Sequence, residues 1–161
     1  MKIPKMKLKI ARGKIKRFEV LEEGADMKLK ILGSSAKELF KNALYALAMV
    51  QKPEIVEQSA VNSLIGRLRG RRISEEFAIE SMDYNTLLVD FLSEVLSRAE
   101  AQNAVFFDVK FTGFSESKIE GRIYGIKVDD FAQNIKAVDY QGVDVAEAEP
   151  GRWESNLVLD I

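Results

Sequence analysis

The sequence predicts a single α+β domain, with two principal helices packed on a mainly antiparallel sheet. Three observations carry that prediction. Two long segments, 35–50 and 83–101, repeat apolar residues at helical spacing. Shorter segments on either side alternate apolar and polar residues, as strands with one buried face do. Gly113, Gly125, Gly142 and Pro150-Gly151 cut the second half into short pieces with no regular helix between them. The chain has 161 residues, 47% of them hydrophobic, which is enough for one core.

In chain order, Met6-Lys7-Leu8-Lys9-Ile10 alternates, and its lysines would keep an edge strand from pairing with another molecule. Residues 18–21 read as a strand. Glu22-Glu23-Gly24-Ala25-Asp26 reads as a turn carrying three carboxylates. Residues 27–32 alternate again as a strand, and Gly33 ends it. Ser35-Ala36-Lys37-Glu38 is a capping box, with Ser35 as the cap and Glu38 reaching back. The helix behind it places Leu39, Phe40, Ala43, Leu44, Leu47 and Ala48 on one face, with Lys37, Lys41 and Asn42 away from it. Pro53 sets the stop near Val50.

Residues 52–72 form a basic insertion with room for a helical turn or two, closing on Gly66-Arg67-Leu68-Arg69-Gly70-Arg71-Arg72. Residues 73–81 read as a strand with Phe77 and Ile79 inward. Asp83 caps the second helix, whose core face is Leu88, Phe91, Leu92, Val95, Leu96 and Ala99. Asp90 and Glu94 lie off that face, one turn apart, and such a pair is normally solvated. Strands at 104–111, 118–124, 136–145 and 153–161 complete the domain. The last puts Trp153, Leu157, Leu159 and Ile161 on one face and Glu154, Asn156, Val158 and Asp160 on the other. A strand that runs to the final residue is expected to be paired, which would hold Asp160 in place.

Composition narrows the chemistry. There is no Cys and no His. Thiolate or imidazole zinc sites and Ser-His-Asp or Cys-His catalytic units are therefore excluded. Any metal must be bound by oxygen, which suits Ca, Mg or Mn. No apolar run approaches the roughly 20 residues of a membrane span, and no signal-like stretch opens the chain, so a cytoplasmic protein is expected. The net charge of -1 is unevenly spread: residues 1–17 hold eight Lys or Arg and no acid, while the rest hold 16 basic and 25 acidic residues. The basic arm, 1–16, suggests an anionic partner such as RNA; a solvated tail is the plainer alternative.

No glycine-rich nucleotide loop is present, which leaves carboxylates and lysines as candidates. Asp26 and Asp160 have ordinary roles open to them, as turn residue and sheet-edge charge. Each adjoins a strongly apolar strand, however, and is expected to be fixed. Two fixed carboxylates close in space repel unless a cation sits between them. Lys136 is a candidate for that cation, or for a phosphate contact. Arg67, Arg69, Arg71 and Arg72, with two glycines among them, are a weaker phosphate candidate, since short basic runs are more often solvated.

Four segments in the same order resemble the archease family. Phe18-Glu19-Val20-Leu21-Glu22-Glu23-Gly24-Ala25-Asp26 resembles F-x-x-L-E-H-T-A-D. Leu87-Leu88-Val89-Asp90-Phe91-Leu92-Ser93-Glu94 resembles L-L-x-x-[FW]-L-x-E. Lys136-Ala137-Val138-Asp139-Tyr140 resembles K-A-V/I-T-Y, and Asp160-Ile161 a terminal D-I. The resemblance spans 17–161 and implies an archease-like fold. It also implies a non-enzymatic accessory role, with a bound divalent metal. That role is promoting guanylylation and multiple turnover of an RtcB-type RNA ligase in tRNA splicing or RNA repair. It assigns metal binding to Asp26 and Asp160, with Glu23 beside them, and activator function to Lys136 and to Glu57 after the first helix. Three departures stand out: Glu23-Gly24 where the family has His-Thr, Val50-Gln51 where it has Thr-Asp, and Asp139 where it has Thr. These departures also fit a divergent archease homologue with another partner, and two other classes of function compete. One is an RNA-binding module using the arm and the 67–72 arginines; the other is a carboxylate-bound metal hydrolase, for which no general base can be picked out.

Overall fold

The computed structural model of the chain describes residues 16–54, 56 and 69–161. The arm up to residue 15, with its expected strand at 6–10, lies outside the described residues, as do Glu57 and Arg67. The elements are β1 (Phe18–Glu23), β2 (Asp26–Gly33), α1 (Ala36–Gln51), β3 (Arg72–Glu80), α2 (Tyr84–Gln102), β4 (Ala104–Phe114), β5 (Lys118–Lys127), β6 (Ala137–Asp139), β7 (Ala146–Glu149) and β8 (Arg152–Asp160). Arg69–Arg71 form a single 3-10 turn.

The α+β class stands, but the strands divide between two antiparallel sheets rather than one. The first runs β1-β2-β8-β6, with β7 on the same side of β8 as β6 but at its other end. The second runs β3-β5-β4. Helix α1 packs on β2 of the first sheet and β4 of the second, while α2 packs on β3, β4 and β6. Phe40 sits at the junction, with Phe114, Tyr84 and Phe91 rings 5.2, 6.2 and 6.2 Å away.

The second sheet changes the environment of α1. A helix on one sheet keeps a wet face; a helix covered on two sides does not. Asn42, expected to point away from the core, is 6% exposed. Its amide donates to the Leu32 carbonyl at 2.6 Å, which satisfies the buried group. The capping box also shifts by one residue. Ser35 Oγ accepts from the Glu38 amide at 3.1 Å, but the Glu38 carboxylate reaches back to the N–H and hydroxyl of Ser34.

The strand expected at 136–145 is broken. Only Ala137–Asp139 pair with β8. The chain then turns through Gly142, whose φ of +78° favours glycine. The amides of Asp144 and Val145 donate to Ser155 Oγ and Asn85 Oδ1 instead of to a strand. The polar run Asp139-Tyr140-Gln141-Gly142 is a turn signal inside what reads as a β-rich stretch.

Candidate functional site at the end of the larger sheet

Strand pairing brings three of the sequence candidates to one end of the sheet. Antiparallel β2 and β8 are in register from Gly33 opposite Trp153 to Asp26 opposite Asp160. Burial of Met27, Leu29, Leu157 and Leu159 fixes that register.

 Their alternation leaves Asp26 and Asp160 side by side on the outer face, both exposed. Directly opposed Cβ atoms in such a pair are about 4.5–5.5 Å apart. On the other side of β8, Ala137 is opposite Asp160, and the Lys136 amide donates to the Asp160 carbonyl at 2.7 Å. Asp160 is thus held between two strands.

The two lysines that β2 places on this face are each paired with an acid. Lys28 closes on Glu22 at 3.4 Å and Lys30 on Glu154 at 3.5 Å. Asp26 and Asp160 have no ion-pair partner among the described residues. Lys136 is exposed and its ammonium closes on neither, so it does not act as the cation between them. Its place before β6 gives it the parity of buried Val138, on the opposite face from Asp160. Asp139 does not pair with it either; its carboxylate accepts from the Gln141 amide at 2.8 Å.

Glu23 faces Met27 in the β1–β2 register, one step from Asp26, which turns it toward the other face. Among the described residues no three His, Cys, Asp or Glu side chains are grouped to hold a metal ion. The geometry supplies two carboxylates, and Glu23 does not join them as a third.

The connection between β5 and β6 is pinned beside this end. The Gln51 carbonyl, at the end of α1, accepts from the amides of Ala132 and Gln133 at 2.7 and 3.3 Å. Lys52 pairs with Asp130 at 2.5 Å, and Arg71 with Asp129 at 3.2 Å. Arg71 also donates to the Lys127 carbonyl. Of the arginines considered for phosphate, Arg71 is therefore engaged within the fold. Arg72 is exposed at the start of β3, and Arg69 is described only through its backbone.

Sequence reading missed one contact. Asp90, read as solvated, is half-buried and accepts from Tyr140 Oη at 2.5 Å and from Ser81 Oγ at 2.6 Å. The hydrogen bond to Asp90 raises the Tyr140 pKa above its ordinary value, with partial burial adding to it. Tyr140 immediately follows β6, so the contact anchors that short strand to α2. The available signal was that Asp90 and Tyr140 each lie within one of the four motif-like segments.

Residues 18–161 match the archease protein family (MTH1598/TM1083). The chain belongs to the archease family. Protein archease of Methanosarcina acetivorans is 30% identical over 154 residues, covering 91% of this chain and 97% of that protein. Protein archease of Pyrococcus abyssi is 29% identical, covering 91% of this chain and all of that protein. Among solved structures, Methanobacterium thermoautotrophicum protein 1598 superposes with a TM-score of 0.60 at 20% identity, over 90% of this chain and 99% of that one. An archease from Thermotoga maritima, described as a possible chaperone, superposes with a TM-score of 0.58 at 15% identity, over 89% and 96%. These two likenesses show the archease fold. No helix among the described residues is long and apolar enough to cross a membrane.

Proposed function

We propose that this chain is an accessory protein of the cytoplasm, not an enzyme, and that it promotes guanylylation and multiple turnover of an RtcB-type RNA ligase in tRNA splicing or RNA repair. A divalent cation, Ca, Mg or Mn, takes part through Asp26 and Asp160. The observation that carries this reading is the placement of those two carboxylates opposite each other with no cation partner among the described residues.

The donor set fits a hard cation. Two carboxylate groups with water completing the shell is a common arrangement for Mg, and Ca accepts it with further oxygens. A bound cation would cancel the repulsion and offer open positions to an oxygen of the partner or of a nucleotide phosphate. Asp26 and Asp160 hold it; the β6 pairing and the Lys136 amide keep Asp160 in register. The Lys136 ammonium, exposed and unpaired among the described residues, is left to meet an anion on the partner. Glu57, whose position lies outside the described residues, is assigned an activator role by resemblance alone.

The test is the rate at which a cognate ligase is guanylylated by GTP with this protein added. Wild type should accelerate it in the presence of metal. Asp26→Ala and Asp160→Ala should each remove the acceleration and weaken metal binding measured by calorimetry. Retention of both properties in both variants would sink the reading.

A further inference from the structure

The first turns of α1 and the outer strand β4 form a groove of about 350 Å3, lined by Lys37, Lys41, Asp108, Val109, Lys110 and Phe111. Three of the six side chains are ammonium groups and one is a carboxylate, so the groove is positive. It lies on a body, residues 18–161, in which acids outnumber bases 25 to 16. None of Lys37, Lys41 and Lys110 has an ion-pair partner among the described residues, whereas Lys28, Lys30, Lys52 and Lys118 each close on an acid.

This arrangement works against the fold. Lys37 and Lys41 are one helical turn apart, where like charges repel. Lys37 is also in the first turn of α1, where the helix dipole disfavours a cation. The carboxylate at hand, Asp108, accepts from the Val109 amide at 2.9 Å. A bound anion would offset both penalties.

We propose that this groove binds the phosphates of a single-stranded RNA. The lysines are spread along the groove, with Lys37 and Lys41 about 6 Å apart on the helix and Lys110 on the strand. Spread charge on an open surface suits successive phosphates, not one enclosed ion. β4 is the outermost strand of its sheet, so among the described residues no further strand pairs along its outer edge. The groove adjoins the start of α1, just past Gly33, at the opposite end of β2 from Asp26. That separation is about 23 Å for an eight-residue strand. The RNA site therefore neither overlaps the carboxylate pair nor depends on the metal reading.

The experiment measures binding of a labelled single-stranded RNA to the full chain by anisotropy over a range of salt. The variant Lys37→Gln/Lys41→Gln/Lys110→Gln should bind about tenfold or more weakly at low salt. Its slope of log affinity against log salt should be shallower by about 2, at ~0.7 for each lost phosphate contact. Lys118→Gln, which removes a lysine paired with Glu80 elsewhere, should leave both unchanged. Amide shifts on titration should appear at Lys37, Lys41 and Lys110, and inorganic phosphate at equal concentration should not compete. A triple variant that keeps its fold and the wild-type slope would overturn the proposal. So would shifts confined to the basic arm, or competition by phosphate as effective as by RNA.

Discussion

Neutralising Asp26 should stabilise the protein without metal and leave it less stable than wild type with metal. Asp26→Asn keeps the shape of the side chain and removes one of two opposed charges. At about 5 Å the repulsion is ~0.8 kcal/mol in a water-like dielectric and ~3 kcal/mol at an effective dielectric of 20. Both groups are exposed, so the lower figure applies, and it is of the size of the ~0.2–1 kcal/mol that favourable cross-strand pairs contribute, with the opposite sign. For a chain of this size, 1 kcal/mol moves the melting temperature by about 2–4 °C. In EDTA the variant should therefore melt about 2 °C above wild type.

Metal reverses the order. At a concentration one hundred times its dissociation constant, a ligand stabilises the folded state by about 2.7 kcal/mol, or about 5–10 °C here. Wild type should gain that rise and the variant little of it. Scanning calorimetry in EDTA and in Mg, Mn or Ca gives the comparison directly. A variant melting below wild type in EDTA would mean that the Asp26 carboxylate makes a stabilising contact instead of facing unrelieved repulsion. An equal metal-induced rise in both proteins would mean that Asp26 is not a ligand.

Further expectations concern the frame around the site. Asn42→Ala should cost about 1–3 kcal/mol in chemical denaturation, because the buried Leu32 carbonyl loses its donor. Gly121→Ala should cost about 3 kcal/mol or more, since a methyl group there would overlap the Lys110 carbonyl and force β4 from β5. Tyr140→Phe should cost about 1 kcal/mol, modest because the bond to Asp90 is open to water, and should speed hydrogen exchange at the Lys136 amide. Acid should loosen the start of α2. The Asp83 carboxyl is held below its ordinary value of 3.8, first by the Thr86 amide and then by the Thr86 hydroxyl. Its contribution is fully present above the unfolded value and is lost as pH falls through the folded one; Asp83→Asn should flatten that part of an acid titration followed by circular dichroism.

What could be read from the chain follows from the range of the forces involved. Both helices, their caps Ser35 and Asp83, and most strands were legible because periodicity and capping are local. The number of sheets was not, since it depends on which strands pair across long intervals. The error over Asn42 came with it, because a second sheet covers a face that one sheet leaves wet. The strand written across 136–145 failed where Asp139 and Gly142 make a turn. At the site, the apolar strands signalled that Asp26 and Asp160 are each fixed, whereas a shared site for the two was implied only by the family resemblance; the β2–β8 register places them opposite each other. The positions of Lys136 and Glu23 were not, because a shift of one residue along a strand exchanges faces. The link from Asp90 to Tyr140 joins residues 50 apart in sequence, and no local pattern encodes such a contact.

The most direct measurement is multiple-turnover RNA ligation by a cognate RtcB-type ligase at limiting concentration, with GTP and Mg or Mn, with and without this protein. Wild type should give more ligation events per ligase, and Asp26→Ala or Asp160→Ala none of that increase. A folded, metal-supplied wild-type protein that leaves the number of turnovers unchanged would contradict the proposed accessory role.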